Sequence, residues 1–198
     1  MNFWFSWKVK RENEIVKIDT DLENLGENNK MKILSIDLST KQTGLVLMDD
    51  WAEVKLSSTI PEICGDRIYQ IGDIVAVKNA VANILMYVAQ CDGVDLILVE
   101  EAVIKTTPKY IAFCEAVINR LEQCLPNKVK GINAARWLPL ADKTLQLKRK
   151  SFPKGRAGDK QWLAAIADKN DEQYTFGSQD EKDAYVMGLT YLLNKEKF

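Results

Sequence analysis

The residues best suited to chemistry in this sequence are carboxylates at the ends of predicted secondary-structure elements. Asp37 ends the first strand of the main folded region, and Glu100 and Glu101 directly follow a short run of apolar residues. Asp180 and Asp183 open the last helix, and residues three apart share one helix face. Because ligands of α/β sheets bind at the ends of strands, we expect these acids to gather at one sheet edge.

The negative charges of such a cluster repel one another unless a cation binds between the carboxylates. Hard oxygen ligands of this kind suit Mg²⁺ or Mn²⁺, and two ions about 4 Å apart can drive phosphodiester hydrolysis. The sequence contains no histidine, which excludes Ser-His-Asp triads, Cys-His nucleophiles and His-ligated zinc. Metal-dependent chemistry on carboxylates is therefore the leading hypothesis.

Each acid taken alone also has a structural explanation. A single Asp after a strand is commonly a turn residue, and Asp180 could be a helix-capping acid. Glu100 is harder to explain in this way, because a charge directly after the apolar run Leu96–Val99 lies against the core. The set of acids favours catalysis more strongly than any one member does.

The pattern of apolar residues predicts the elements that must position these acids. Three short strands begin at Lys32 and follow one another as a meander, and helices and strands then alternate. The predicted elements are strands Lys32–Asp37, Gly44–Met48, Val54–Leu56, Val94–Val99 and Lys128–Ala134, and helices within 66–90, Tyr110–Cys124, 159–168 and Gln179–Asn194. This order predicts an α/β fold of the RNase H-like type: a mixed five-stranded sheet, formed by the meander and two further strands, with helices on both faces.

The charge is distributed unevenly along the chain. The net charge is −1, yet residues 105–160 hold 13 basic and 4 acidic residues, a local balance of +9. We expect this region to bind an anionic partner such as DNA, although a solvated lysine-rich surface would give the same pattern. Residues 141–158 are predicted to be a loop, which Gly155 and Gly158 make flexible. The candidate DNA contacts are Lys143, Lys148, Arg149, Lys150, Lys154, Arg156 and Lys160, with Lys105, Lys109 and Arg136 from neighbouring segments.

Three blocks of sequence resemble the RuvC family of Holliday junction resolvases. They are ILSIDLSTKQTGLVLMD (Ile33–Asp49), DLILVEE (Asp95–Glu101) and SQDEKDAYVMGLTYL (Ser178–Leu192), in that order along the chain. The long basic loop before a short helix resembles the phage-type members especially. The resemblance implies an RNase H-like nuclease that makes paired nicks in a four-way DNA junction as a homodimer.

The same resemblance assigns roles to individual residues. It places the four metal-binding and catalytic carboxylates of the family at Asp37, Glu100, Asp180 and Asp183, holding two Mg²⁺ ions for which Mn²⁺ can substitute. Glu101 falls where the family commonly has a neutral polar residue. Some members carry an aromatic wedge soon after the glutamate, and Tyr110 or Phe113 could take its place here.

Three other functions remain open at this stage. A nuclease on the same scaffold could act on other branched DNA or on structured RNA. A nucleotide-dependent phosphotransferase of the actin-like class is suggested by the first block only, and a non-catalytic DNA-binding module would explain the basic region alone. We expect no small-molecule cofactor, because the sequence has no phosphate-binding glycine loop.

The sequence divides into an extension at residues 1–30 and a nuclease domain at residues 31–198. The extension has no convincing signal-peptide pattern, and no apolar stretch is long enough to span a membrane. The cysteines form no CxxC pair and are predicted to be buried thiols in a reducing compartment, at Cys64, Cys91, Cys114 and Cys124. We therefore expect a cytoplasmic protein of a bacterial or phage-infected cell.

Overall fold

A computed structural model describes residues 10–11, 14–15, 30–39, 42–61, 74–102, 107–171 and 173–198. The chain divides into two compact units, Met1–Lys30 and Met31–Phe198. In the first unit, the short strands β1 (Lys10–Arg11) and β2 (Glu14–Ile15) pair antiparallel. All the elements that follow belong to the second unit.

The second unit is built on a mixed five-stranded sheet. Its strands are β3 (Lys32–Asp37), β4 (Gln42–Asp49), β5 (Val54–Pro61), β6 (Leu96–Glu101) and β7 (Val129–Asn133). The spatial order is β5-β4-β3-β6-β7, in which the meander β3, β4 and β5 is antiparallel and β3, β6 and β7 run parallel. The central strand β3 is buried on both faces, which explains its nearly continuous apolar sequence. The predicted RNase H-like sheet is confirmed.

Among the described residues, five helices cover the two faces of this sheet. They are α1 (Ile74–Gln90), α2 (Pro108–Cys124), α3 (Ala134–Thr144), α4 (Arg156–Asn170) and α5 (Gln179–Leu192). Helices α1 and α2 pack on one face, with alternate residues of β3 and β6 such as Leu34 and Ile97. Helices α3, α4 and α5 pack on the other face, around Ile33, Leu98 and the fully buried Trp162.

The prediction that residues 141–158 form a loop is wrong at both ends of this range, where the structure has helices. Helix α3 continues to Thr144, and it begins where the side chain of Asn133 accepts a hydrogen bond from the amide of Ala135. Pro139 lies inside α3 and removes one intrahelical hydrogen bond, so the local sequence does not indicate a helix. Tertiary packing stabilises α3 instead, because Trp137 is buried against the sheet.

Helix α4 starts at Arg156 rather than at the predicted residue 159, and the two glycines near its start have different structural roles. Gly155 has a φ of +93°, a backbone conformation that favours glycine. A Cβ atom on Gly158 would lie 1.6 Å from the carbonyl oxygen of Pro153. Gly158 therefore allows the chain at Pro153 to lie against the start of α4, and the flexibility expected from these glycines stays a prediction.

The cysteine prediction is correct only in part. Cys114 is buried and Cys91 is partly buried, whereas Cys124 is exposed at the end of α2. Cys64 lies outside the described residues. None of the helices that the structure describes has the length and apolar character that a membrane span requires.

Candidate metal centre

Asp37 and Glu100 lie side by side at the ends of the parallel strands β3 and β6. Ile36 pairs with Val99, so the next residue of each strand continues into the same edge of the sheet. The two carboxyl groups are close enough for each to shift the pKa of the other. The indole Nε1 of Trp137 in α3 donates to Oε1 of Glu100 at 3.1 Å, which fixes Glu100 on the face covered by α3, α4 and α5.

Asp180 and Asp183 come from the first turns of α5, which crosses the same face. The helix begins at Ser178, whose side chain accepts a hydrogen bond from the amide of Glu181. One carboxylate oxygen from each of Asp37, Asp180 and Asp183 lies within 4.8 Å of the other two. The structure therefore gathers acids that are far apart in the sequence into one cluster.

A glycine in β4 allows this close approach of α5 to the sheet. Gly44 pairs with Asp37 across the antiparallel strands. A Cβ atom on Gly44 would lie 2.1 Å from the carbonyl oxygen of Asp180, much closer than atoms can approach. Any larger residue at position 44 would therefore push the first turn of α5 away from Asp37.

A lysine lies within the acidic cluster. Lys160 of α4 places its Nζ 3.2 Å from Oδ1 of Asp180 and 3.7 Å from Oδ2 of Asp183. On the other side of Asp183, Nε2 of Gln179 donates to Oδ1 at 2.6 Å and to the carbonyl oxygen of Lys160 at 3.2 Å. Lys160 was predicted as a contact in the DNA-binding loop, but in the structure it lies among the acids.

Burial and mutual repulsion perturb the acids of this cluster. Burial, followed by the charge of Glu100, raises the pKa of Asp37 well above its ordinary value. Burial is also the main cause that raises the pKa of Glu100, and burial with the charge of Asp37 raises the pKa of Asp183 to about 7. Burial lowers the pKa of Lys160, but the charges of Asp183 and Asp180 outweigh it and raise the pKa above its ordinary value. The cluster thus holds more negative charge than one lysine balances.

The donor set fits a hard divalent cation. Oxygen ligands of an octahedral Mg²⁺ ion are about 3.0 Å apart when adjacent and about 4.2 Å apart when opposite, because each Mg–O distance is about 2.1 Å. The oxygens of Asp37, Asp180 and Asp183 lie within 4.8 Å of one another, so side-chain movements of an ångström or two, by order of magnitude, bring them to these spacings. A divalent cation would also relieve the repulsion that raises the pKa of Asp37 and Asp183.

Glu101 lies on the other face of β6, because successive side chains of a strand alternate. Its carboxylate packs along β7, where a Cβ atom on Gly131 would lie 2.4 Å from Oε1 of Glu101. The geometry therefore brings Glu100, and not Glu101, to the cluster.

Neither aromatic candidate for a wedge is free to enter DNA in this conformation. Phe113 is 6% exposed and lies in the core beneath α1 and α2. Tyr110 is partly buried, and its hydroxyl donates to the carbonyl oxygen of Leu38, the residue after Asp37. Tyr110 thus supports the end of β3, and the burial of Phe113 leaves its ring little access to DNA in this conformation.

Most of the basic candidates are exposed, and some of them also bond within the fold. The exposed ones are Lys109 at the start of α2, Arg136, Lys143, Lys148, Lys150, Lys154 and Arg156. Arg136, Lys148 and the partly buried Arg149 make internal contacts, and Lys105 lies outside the described residues. Arg149 forms two 2.6 Å hydrogen bonds with Asp159, Arg136 donates to the carbonyl oxygen of Lys197 at 2.6 Å, and Lys148 donates to that of Asp142 at 2.9 Å.

Sequence reasoning missed several residues that hold the acids in place. Trp137 is buried, and its contact with Glu100 has no local sequence signal. Gln179 lies four residues before Asp183, a spacing at which helical side chains meet. Glu181 lies three residues after Ser178, which is the pattern of a helix capping box and could have been found.

Comparisons with known proteins place the fold but not the family. No family model matches the sequence, and no curated protein matches it significantly. Among solved structures, Thermus thermophilus RuvC in complex with Holliday junction substrate aligns with a TM-score of 0.58 and 10% identity, covering 84% of this chain and 95% of that one. A second Thermus thermophilus RuvC structure gives a TM-score of 0.56 and 11% identity over 84% and 96%.

A viral protein shows the same likeness. The structure of Fowlpox virus resolvase with substrate Holliday junction DNA aligns with a TM-score of 0.50 and 12% identity, covering 83% of this chain and 99% of that one. At these identities the alignments show a shared RNase H-like fold. They also show that this chain spans nearly the whole length of the three aligned proteins.

Proposed function

We propose that this protein is a divalent-metal-dependent endodeoxyribonuclease that cuts four-way DNA junctions. The observation that carries the proposal is the convergence of Asp37, Asp180 and Asp183, beside Glu100, at one end of the sheet. The likeness to solved resolvase structures supports the choice of substrate, because two of those structures contain Holliday junction DNA.

In this proposal Asp37, Asp180 and Asp183 hold the metal, with Glu100 as the fourth acid beside Asp37. The oxygen-only donor set favours Mg²⁺, for which Mn²⁺ can substitute, and four acids are sufficient for a pair of ions. When bound, the metal supplies an activated water and stabilises the charge on the leaving oxygen of a phosphodiester.

Neighbouring residues orient the acids and adjust the charge of the site. The Trp137 indole holds Glu100, and the Gln179 amide holds Asp183, so two of the four acids are fixed before any ligand arrives. Lys160 is 37% exposed and remains protonated, so its ammonium group can attract a DNA phosphate to the site. The partial burial of Asp37 and Glu100 strengthens these charge interactions.

The exposed basic residues provide a surface for the arms of the DNA. We propose that Lys109, Lys143, Lys150, Lys154 and Arg156 contact phosphates, which would give binding that depends on salt more than on sequence. The contacts of Arg149, Arg136 and Lys148 within the fold make them weaker candidates than the sequence suggested.

Paired nicks in a junction require two active sites, and the second unit of the chain holds one acidic cluster among its described residues. We therefore propose that the active form is a homodimer, with one cluster for each strand that is cut. Sedimentation of the free protein and of its junction complex would measure this directly, and a monomer bound to each junction would contradict it.

The test of the proposed function is cleavage of a labelled four-way junction in Mg²⁺, with the Asp37→Asn variant as the control. We expect the unmodified protein to cut and the variant to bind the junction without cutting it, because phosphate contacts supply the affinity. Equal cutting by the Asp37→Asn variant would refute the assignment of the site.

A competition assay separates the junction from related substrates. Unlabelled four-way junction, DNA flap, linear duplex and structured RNA would each compete against the labelled junction. We expect the four-way junction to compete best. Stronger competition by a flap or by structured RNA would assign the same metal centre to a different nuclease activity.

A further inference from the structure

We infer that Glu181 is a positioning residue that ties the first turn of α5 to the edge strand β5 and so sets the places of Asp180 and Asp183 in the metal centre. This inference rests on the proposed function, since it concerns the same acidic cluster. Glu181 follows Asp180 directly in the sequence, but it takes no part in the cluster itself.

The carboxylate of Glu181 is buried and surrounded by neutral donors. Only 4% of the surface of Glu181 is exposed to solvent. From β5, Ser57 Oγ donates to Oε2 at 2.5 Å and Thr59 Oγ1 donates to Oε1 at 2.6 Å. From the segment before α5, the Gly177 amide donates to Oε2 at 3.0 Å and Ser178 Oγ to Oε1 at 3.4 Å. No lysine or arginine in the described part of the chain forms an ion pair with Glu181.

Glu181 makes more hydrogen bonds than a helix cap requires. In an ordinary capping box the glutamate reaches back to the amide of the capping residue. Glu181 instead bonds the Gly177 amide and crosses to two hydroxyl groups on β5. A buried carboxylate without a cation is costly, so these hydrogen bonds must be made together for the helix to dock.

The sheet register explains why this contact controls the metal centre. Asp37, Gly44 and Thr59 form one row across β3, β4 and β5, because Gly44 pairs with both of the others. The first turn of α5 lies along this row. Glu181 bonds Thr59 at one end, and the Asp180 backbone lies against Gly44 in the middle.

The contact of Glu181 with β5 therefore fixes how far the first turn of α5, with Asp180, lies from β5. Since Glu181 holds one end of the row and Gly44 allows close contact, the Asp180 carboxylate is directed toward Asp37 at the other end. Loss of the Glu181 contact would let the first turn of α5 move, and the spacing of the ligand oxygens would widen. Residues that orient ligands in this way typically contribute about 10-fold to 100-fold to metal affinity.

The experiment measures Mn²⁺ binding by calorimetry, on protein that is folded at the temperature used. The variants are Glu181→Ala, Glu181→Gln and the double variant Ser57→Ala/Thr59→Val, with Glu122→Gln at an exposed position of α2 as the matched control. We expect Glu181→Ala and the double variant to raise the Kd for Mn²⁺ by about tenfold or more. The control should leave the Kd unchanged.

The Glu181→Gln variant shows whether the hydrogen bonds of Glu181 or its negative charge affects Mn²⁺ binding. The amide oxygen of glutamine can accept from Gly177 and Ser57, and its nitrogen can donate to Thr59, so most of the anchor survives. We expect its Kd to lie within about threefold of the unmodified protein. If Glu181→Gln binds Mn²⁺ as poorly as Glu181→Ala, the negative charge matters instead and the inference is overturned.

Hydrogen exchange of residues 180–184 separates this inference from the proposed function. We expect faster exchange of these amides in Glu181→Ala and in the double variant without any metal, relative to unchanged exchange in β3. Failure of the unmodified protein to bind Mn²⁺ would refute the metal centre, whereas unaltered exchange and unaltered Mn²⁺ affinity in the folded variants would refute the anchor. If Glu181→Ala does not fold, the double variant and Glu181→Gln decide the question.

Discussion

Asp183→Asn should stabilise the metal-free protein, although it removes a proposed metal ligand. Asp183 is partly buried beside Asp37, and in the metal-free state its burial, followed by repulsion from the charge of Asp37, raises its pKa to about 7. Asparagine has nearly the same shape, and its side-chain oxygen can still accept the hydrogen bond from Gln179. The substitution therefore removes a charge without creating a cavity.

The size of the effect follows from the pKa of Asp183. The folded value is about 7 and the ordinary value is 3.8. Each pH unit of that difference corresponds to about 1.4 kcal/mol, so ionised Asp183 lowers the free energy of unfolding by on the order of 4 kcal/mol. The substitution should restore stability of that order at alkaline pH.

The sign of the pH dependence is fixed by which state holds the proton. Between about pH 4 and pH 7 the folded chain keeps a proton that the unfolded chain has lost, so its stability falls as the pH rises. Below that range Asp183 is protonated in both states and does not change the free energy of unfolding. Above that range Asp183 is ionised in both states, and its charge lowers the free energy of unfolding by the full amount. Asp183→Asn should therefore raise the free energy of unfolding by about 4 kcal/mol at pH 8 and by about 1.5 kcal/mol at pH 5.

Urea denaturation followed by tryptophan fluorescence, in the presence of a chelator, measures this difference. A gain that is equal at pH 5 and pH 8, or a loss at pH 8, would refute the reasoning. Excess Mg²⁺ supplies a second check, because a ligand at 100 times its Kd stabilises the folded state by about 2.7 kcal/mol. Mg²⁺ should therefore stabilise the unmodified protein more than Asp183→Asn.

Four further substitutions test other parts of the account. Lys160→Met should lower junction cleavage in saturating Mg²⁺ by about a hundredfold, because a fixed positive charge is lost beside the scissile phosphate, and unchanged rates would contradict that role. Gly44→Ala should destabilise the fold by about 1–3 kcal/mol in thermal unfolding and weaken Mn²⁺ binding, since its Cβ atom would overlap the Asp180 carbonyl oxygen. Arg149→Ala should cost about 1–2 kcal/mol of stability through its partly exposed pair with Asp159, yet leave the salt dependence of junction binding unchanged. Lys154→Ala should reduce that salt slope by about 1 without loss of stability, and equal slopes for the two variants would contradict the division of the basic residues.

Much of the fold follows from local patterns in the sequence. The strand that ends at Asp37 and the strand that carries Glu100 are short and mostly apolar, and such runs predict strands of a covered sheet. The spacing of Asp180 and Asp183 on one helix face predicts that they point the same way. Parallel pairing of β3 and β6 then brings these acids to one edge of the sheet, as the sequence analysis expected.

The remaining features depend on contacts between distant parts of the chain. Helix α3 contains Pro139 and is stabilised by burial of Trp137, which no local pattern shows. The charge run that includes Lys160 predicts an exposed basic loop, but packing of α4 on α5 turns that lysine to the acids. The capping pattern at Ser178 indicates Glu181 as a cap, whereas its bond to Thr59 depends on the docking of α5 across the sheet.

Mapping the cuts on an end-labelled mobile four-way junction tests the central claim most directly. In Mg²⁺ the account predicts one nick in each of two strands, at positions related by the symmetry of the junction. The nicks should disappear when a chelator replaces Mg²⁺ and when Asp37→Asn replaces the unmodified protein. Nicks that persist in the chelator, or an intact junction after incubation with folded protein and Mg²⁺, would contradict the account.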